Sequence, residues 1–186
     1  MAFSRWRAGV VVTLLLTAVL GRPATFDQSG TAVDPFATPA RARVFVFART
    51  DCPLTHRYAP ELQRIWREFR GRGVELWMVY PDPAETVQGI AGDFAAYGFP
   101  GKALRDPRHE LVARARATVA PEAAVFDRAG KLLYHGRIDD QWVDFGKARP
   151  AARVHDLEDA ITAVLGGGVV AQAETRAVGC SLADVQ

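Results

Sequence analysis

Cysteine is scarce: the 186 residues contain two, Cys52 and Cys180. At most one intramolecular bridge is available, so a framework of several disulfides is excluded. A charge excess is also lacking. Lysine and arginine number 23 against 21 acidic residues, a net charge of +2. The basic residues are scattered, and Arg41-Ala42-Arg43 and the Arg64–Arg72 group read as solvated faces, so no nucleic-acid surface is indicated. No internal repeat is present. No apolar run has the length of an ordinary membrane span, since the longest, Ala8 to Leu20, is short for one. Arg5 and Arg7 precede that run and give residues 1–24 the form of a secretory signal. No clean Ala-x-Ala site ends it, so an uncleaved N-terminal anchor is the alternative and the only membrane contact expected. Export into an oxidising compartment permits a bridge between the two cysteines.

What is present begins with Val44 to Ala48, an apolar run rich in β-branched and aromatic residues. Nothing polar alternates within it, which predicts a strand buried on both faces. Arg49-Thr50-Asp51 is a polar turn, and Cys52-Pro53 follows at the start of a helical pattern. A cysteine there meets backbone N–H groups that favour a thiolate, whereas an inert buried thiol is the alternative. Pro60 kinks that helix or restarts it. Beyond it Leu62, Ile65, Trp66 and Phe69 share one face, and Gly71 and Gly73 stop the helix. Val74 to Tyr80 reads as a second buried strand.

Asp82-Pro83-Ala84-Glu85 has the form of a helix cap, with Val87, Ile90, Ala91 and Phe94 on the buried side behind it. Leu104 marks a short strand at best. Asp106-Pro107 repeats the capping device before Leu111 and Val112. A proline, Pro121, then enters the apolar run that ends at Phe126. Asp127 to Gly130 reads as a hairpin turn, and Lys131 to Gly136 as its partner strand. His135, Arg137, Asp139 and Asp140 read as surface or turn residues. A final helix covers Val154 to Leu165, and Gly166-Gly167-Gly168 hinges a tail that carries Cys180. The alternative for Cys180 is a free thiol on that tail. The order predicts a right-handed βαβ unit followed by a hairpin and a helix. The expected fold is α/β, with residues 25–42 as linker, 43–166 as the domain and 167–186 as tail.

Four stretches carry a resemblance: Thr50 to Glu61, Ala120 to Asp127, Tyr134 to Asp140 and Val178 to Leu182. Together they resemble the thioredoxin-like superfamily, and within it exported redoxin-domain proteins of the alkyl hydroperoxide reductase/thiol-specific antioxidant family. The resemblance implies a thioredoxin-like three-layer α/β/α domain with a central mixed sheet. It also implies a cis-proline at Pro121 beside the active cysteine. The implied activity is that of a thiol-disulfide oxidoreductase acting on a thiol or disulfide protein partner or a small peroxide. Its site residues would be Cys52 as reactive thiol, Cys180 as resolving partner, Thr55 and Pro121, with no cofactor.

The chain departs from each branch of the superfamily by one position. Thr55 stands where a dithiol enzyme has its second cysteine. Arg49 and Phe45 stand where a peroxiredoxin has Thr or Ser and Pro. His56 stands where the copper-delivery branch has its second cysteine. The last departure supplies an alternative of another class, a copper-binding protein using Cys52 and His56. A third reading is a thioredoxin-fold module without turnover, whose bridge is only structural.

Overall fold

A computed structural model describes residues 25–183. The expected signal or anchor at residues 1–24 lies outside them. Six strands form the main sheet: β1 (Phe26–Asp27), β2 (Ala42–Phe47), β3 (Val74–Tyr80), β4 (Lys102–Arg105), β6 (Glu122–Asp127) and β7 (Leu132–Gly136). Their order is β1-β4-β3-β2-β6-β7. Strands β2, β3 and β4 are parallel, whereas β6 lies antiparallel to β2, β7 to β6 and β1 to β4. The sheet is therefore mixed, and the fold is a thioredoxin-like α/β fold. A two-residue strand, β5 (Val119–Ala120), precedes Pro121, and a small hairpin of β8 (Trp142–Asp144) and β9 (Lys147–Ala148) follows β7.

The unbroken apolarity of β2 has a direct cause, because the sheet is covered on both faces. Val44 and Val46 join one core cluster and Phe45 and Phe47 the other. Strand β3 divides the same way, with Leu76, Met78 and Tyr80 on the first face and Trp77 and Val79 on the second. The first face is covered by α2 (Ala59–Phe69), α3 (Val87–Tyr97) and α5 (Asp156–Leu165), through Leu62, Ile65, Phe69, Ile90, Leu157 and Ile161. The second is covered by α4 (Glu110–Ala115) through Leu111, Val112 and Ala115. A five-residue helix, α1 (Pro53–Arg57), precedes α2, and the two are separated at Tyr58, just before Pro60. That is the restart expected of a proline that cannot donate to the carbonyl of His56.

Three expectations are corrected. First, residues 25–42 are not a plain linker. Phe26 and Asp27 pair with Arg105 and Leu104 at the sheet edge. Val33 and Phe36 pack on the second core face, and the Phe36 ring meets those of Phe45 and Phe126 at centroid distances of 5.4 and 5.3 Å. The apolar residues of this strap are too widely spaced to show a period, so it was not recognisable as structure. Second, Arg43 is buried rather than on a solvated face. Its guanidinium donates to the carbonyls of Pro35, Phe36 and Thr38 and so ties the strap to β2. Third, α3 begins behind Thr86, whose hydroxyl accepts from Gly89 N at 3.0 Å. Asp82 instead closes a preceding turn on Ala84 N. Ala91 is exposed, and the polar residue Asp93 takes the buried side.

The tail is seated on the body. Gly167, with φ 69°, supplies the left-handed turn that closes α5. The chain then runs along β7, where His135 N donates to Ala173 O and Thr175 N to His135 O. It ends in β10 (Cys180–Ser181), antiparallel to β5. Leu182 behind it is 2% exposed and belongs to the second core cluster.

Candidate functional site

Cys52 lies where β2 ends and α1 begins, and its side chain is buried. Its amide donates to Arg49 O at 3.2 Å, which closes the turn. Arg49 sits on Asp51 with two contacts, Nε to Oδ1 at 3.0 Å and Nη2 to Oδ2 at 2.8 Å. Hydrogen bonding and charge from Arg49 hold the Asp51 carboxyl below the usual carboxylate range. Asp51 is thus compensated before it can oppose a thiolate at the next residue. Thr50 N donates to Glu85 Oε1 at 2.7 Å. Burial pushes the Glu85 carboxyl up, against the pull of that donor.

Cys52 and Cys180 are joined in a disulfide, with Cα atoms 6.1 Å apart across 128 residues of sequence. Register puts Cys180 opposite Ala120 and Ser181 opposite Val119. The Ala120–Pro121 peptide is cis, and Ala120 O lies 3.0 Å from Cys52 Sγ. When the bridge is reduced, that carbonyl can accept from the Cys52 thiol. Two polar bonds fasten the tail at this point: Leu182 N to Thr118 O at 3.0 Å and Arg49 Nη1 to Ser181 O at 2.8 Å. Cys52, Cys180 and Pro121 are therefore brought together, and the turn at Arg49 holds two of the elements that meet there.

Thr55 and His56 lie in α1, which Cys52 caps, and neither is hydrogen-bonded to the sulfur. The Thr55 hydroxyl is buried and has no hydrogen-bond partner, so it makes no hydrogen bond to the sulfur with the bridge closed. The His56 ring stacks on Tyr97 at 3.8 Å, and its Nε2 lies 2.8 Å from Asp93 Oδ1. Asp93 also accepts from Tyr80 Oη at 3.1 Å, and burial raises its carboxyl above the ordinary range. The two donors of the copper alternative are each engaged, His56 by Asp93 and Cys52 by Cys180. Among the described residues one other grouping of metal-ligating side chains occurs, Glu61, Asp139 and His155. There the Arg64 guanidinium already occupies both Glu61 oxygens, at 2.9 and 2.8 Å.

Asp139 and Asp140 lie in the irregular segment after β7, as a turn reading expects, but both are buried, and His135 and Arg137 are only partly exposed, which corrects their reading as surface residues. Glu122, missed as a functional residue, organises this side. It follows Pro121 and is buried, and its Oε2 accepts from Thr118 N at 2.8 Å and Val119 N at 3.3 Å. Its Oε1 faces His135 Nδ1 at 3.3 Å. Glu122, His135, Glu174, Arg116 and Arg176 line a cleft of about 900 Å3 beside Gly179. The signal for Glu122 was a carboxylate inside an otherwise apolar strand. Arg137 pairs with buried Asp156 at 2.7 Å, Asp139 accepts from Tyr58 Oη at 2.7 Å, and Asp140 accepts the amides of Arg153 and Val154. Each of these carboxylates serves a backbone or side-chain donor from a different element.

The mixed sheet, with a cysteine after its first parallel strand and a cis-proline opposite, defines the thioredoxin-like class. Residues 24–135 match the AhpC/TSA family, and the chain belongs to it. Among solved structures, a hypothetical protein of Sinorhizobium meliloti 1021 is similar at 24% identity and a TM-score of 0.70, over 87% of this chain and 91% of that one. An uncharacterized conserved protein of Geobacillus kaustophilus is similar at 22% identity and a TM-score of 0.70, over 87% and 89%. A putative thiol:disulfide interchange protein DsbE of Chlorobium tepidum is similar at 19% identity and a TM-score of 0.60, over 77% and 92%. At these identities the likeness concerns the fold. No curated protein matches the chain.

Proposed function

We propose that this protein is an exported thiol-disulfide oxidoreductase of the redoxin type. Cys52 is its reactive thiol and Cys180 its resolving partner. The observation that carries the reading is the seat of the tail, which delivers Cys180 to Cys52 beside Pro121. In the dithiol form the Cys52 thiolate attacks a partner disulfide and expels one partner thiolate. Cys180 thiolate then attacks Cys52 Sγ of the mixed disulfide, releases the second partner thiolate and restores the bridge. Two electrons and two thiol protons pass to the partner. A small peroxide is the alternative oxidant, and there Cys52 passes through a sulfenic acid before Cys180 condenses with it. Arg49 in the turn before Cys52 and Phe45 in β2 stand where a peroxiredoxin has its peroxide-binding residues, so a disulfide partner is preferred.

The burial of Cys52 favours a second reading, in which the bridge is structural only. The deciding experiment follows the mass of alkylated protein through a glutathione redox titration, paired with reduction of a protein disulfide substrate. Reversible bridge opening with the fold retained, together with substrate turnover, is expected. A bridge that opens only on global unfolding would establish the structural reading. N-terminal sequencing of protein recovered from the host checks the exported state, and retention of Arg5 and Arg7 in a mature protein would point to the anchor instead.

A further inference from the structure

The tail occupies a strand position that another chain can also occupy. Pairing of β10 with β5, Leu182 N on Thr118 O and Arg49 Nη1 on Ser181 O are all contacts to tail backbone. Such contacts hold any extended segment, whatever its side chains. Two tail positions add selectivity. Gly179 lies flush against the end of β5: a Cβ there would stand 2.2 Å from Ala120 O and 2.6 Å from its carbonyl carbon. Both atoms are backbone and cannot swing aside. Leu182, two residues after the cysteine, is 2% exposed and inserted into the second core cluster.

We propose that this seat is the substrate site, which accepts an extended segment of a partner protein patterned Gly-Cys-x-aliphatic, and that the protein's own tail is its resident competitor. The proposal rests on the oxidoreductase reading and adds the substrate class to it. The partner arrives as a disulfide. Cys52 thiolate bonds to the sulfur of the partner's patterned cysteine, and the other partner sulfur leaves as thiolate and takes a proton. The partner strand lies where β10 lay. Cys180 thiolate then attacks Cys52 Sγ, the partner's second sulfur leaves, and β10 returns to β5. Resolution is thus an exchange of strands as well as of sulfurs.

The test uses full-length Cys180→Ser protein and hexapeptides whose cysteine carries a thionitrobenzoate leaving group, with release read by absorbance and capture at Cys52 by mass. The reference peptide is Val-Gly-Cys-Ser-Leu-Ala. One analogue has Ala for the Gly, and another has Asp for the Leu. Each analogue is expected to react at least about tenfold more slowly, because one meets a backbone clash and the other loses an apolar anchor. Occupancy of the seat by the protein's own tail slows all three equally and leaves the ratios intact. Equal rates for the three peptides, with Cys52 still reactive, would overturn the proposal alone. A Cys52 inert even to a small aromatic disulfide would overturn the oxidoreductase reading with it. The same panel run in single turnover on reduced wild-type protein must give the same order of rates. Preferential linking of Cys52 to Cys180 of a second copy there would assign the seat to tail exchange and overturn the partner.

Discussion

Replacing Leu182 by Ala separates two states of the tail. With the bridge closed, Leu182 is 2% exposed within the second core cluster. Truncating a buried leucine to alanine costs about 2–5 kcal/mol, and the lower end applies where the site can collapse. Leu182 lies on a terminal segment that can settle, so about 2 kcal/mol is the working figure. If reduction frees the tail, that loss falls on the oxidised state and not on the reduced one. The bridge is then weakened by the same amount, and its potential rises. For a two-electron couple 30 mV corresponds to about 1.4 kcal/mol, so Leu182→Ala raises the potential by about 45 mV. If the tail stays docked after reduction, both states lose equally and the potential does not move. The assay is a glutathione titration read by alkylation mass, run beside urea unfolding of the oxidised and reduced forms. An unchanged potential together with a stability loss of about 2 kcal/mol in both forms would refute a tail that leaves on reduction.

Further outcomes follow from the buried polar groups. Glu122→Gln presents an amide N–H to donors now held by a carboxylate, and it costs about 1–3 kcal/mol in urea unfolding; a change within 0.5 kcal/mol, about the size of a surface substitution, would remove Glu122 from the list of organising residues. Asp106 accepts the amides of Glu110, Leu111 and Val112, yet burial pushes its carboxyl up to about 6 from 3.8. A folded-state value above the unfolded one stabilises the fold below the unfolded value, and this contribution is lost as pH rises through the folded one. The stability of wild type relative to Asp106→Asn should therefore fall between pH 4 and pH 7, by on the order of 3 kcal/mol at most. A difference that grows with pH would show that the three amides outweigh burial. His56→Ala removes the ring partner of buried Asp93 and should cost about 1–3 kcal/mol, while copper titrated into the oxidised protein binds wild type and variant alike. Tighter copper binding by wild type would restore the role of His56 as a ligand.

The sheet was legible where apolar residues cluster. β2, β3 and the β6–β7 hairpin read directly from runs and turns, because burial on both faces leaves no room for polar residues. Pro60 and the glycines after α5 marked real breaks, since their backbone chemistry acts locally. Cys52 and Pro121 were legible because each interrupts a pattern. The strap was not, for Phe26, Val33 and Phe36 gain their meaning only from rings far away in sequence. Nor was the pairing of His56 with Asp93, which lies on another helix. Glu122 and Arg43 were misjudged for one reason: a charge inside a core is explained by backbone donors or acceptors that the sequence does not display.

The strap and the tail approach the sheet from opposite sides. Residues 26 and 27 add to β4 at one margin, and the tail runs along β7 at the other. Five inter-strand steps separate β1 from β7, roughly 24 Å at the usual spacing. Residues 26 and 27 therefore lie on the far flank from the tail. The strap and the tail thus each cover one margin of the sheet, and neither margin is left as a long bare edge on which another chain could pair.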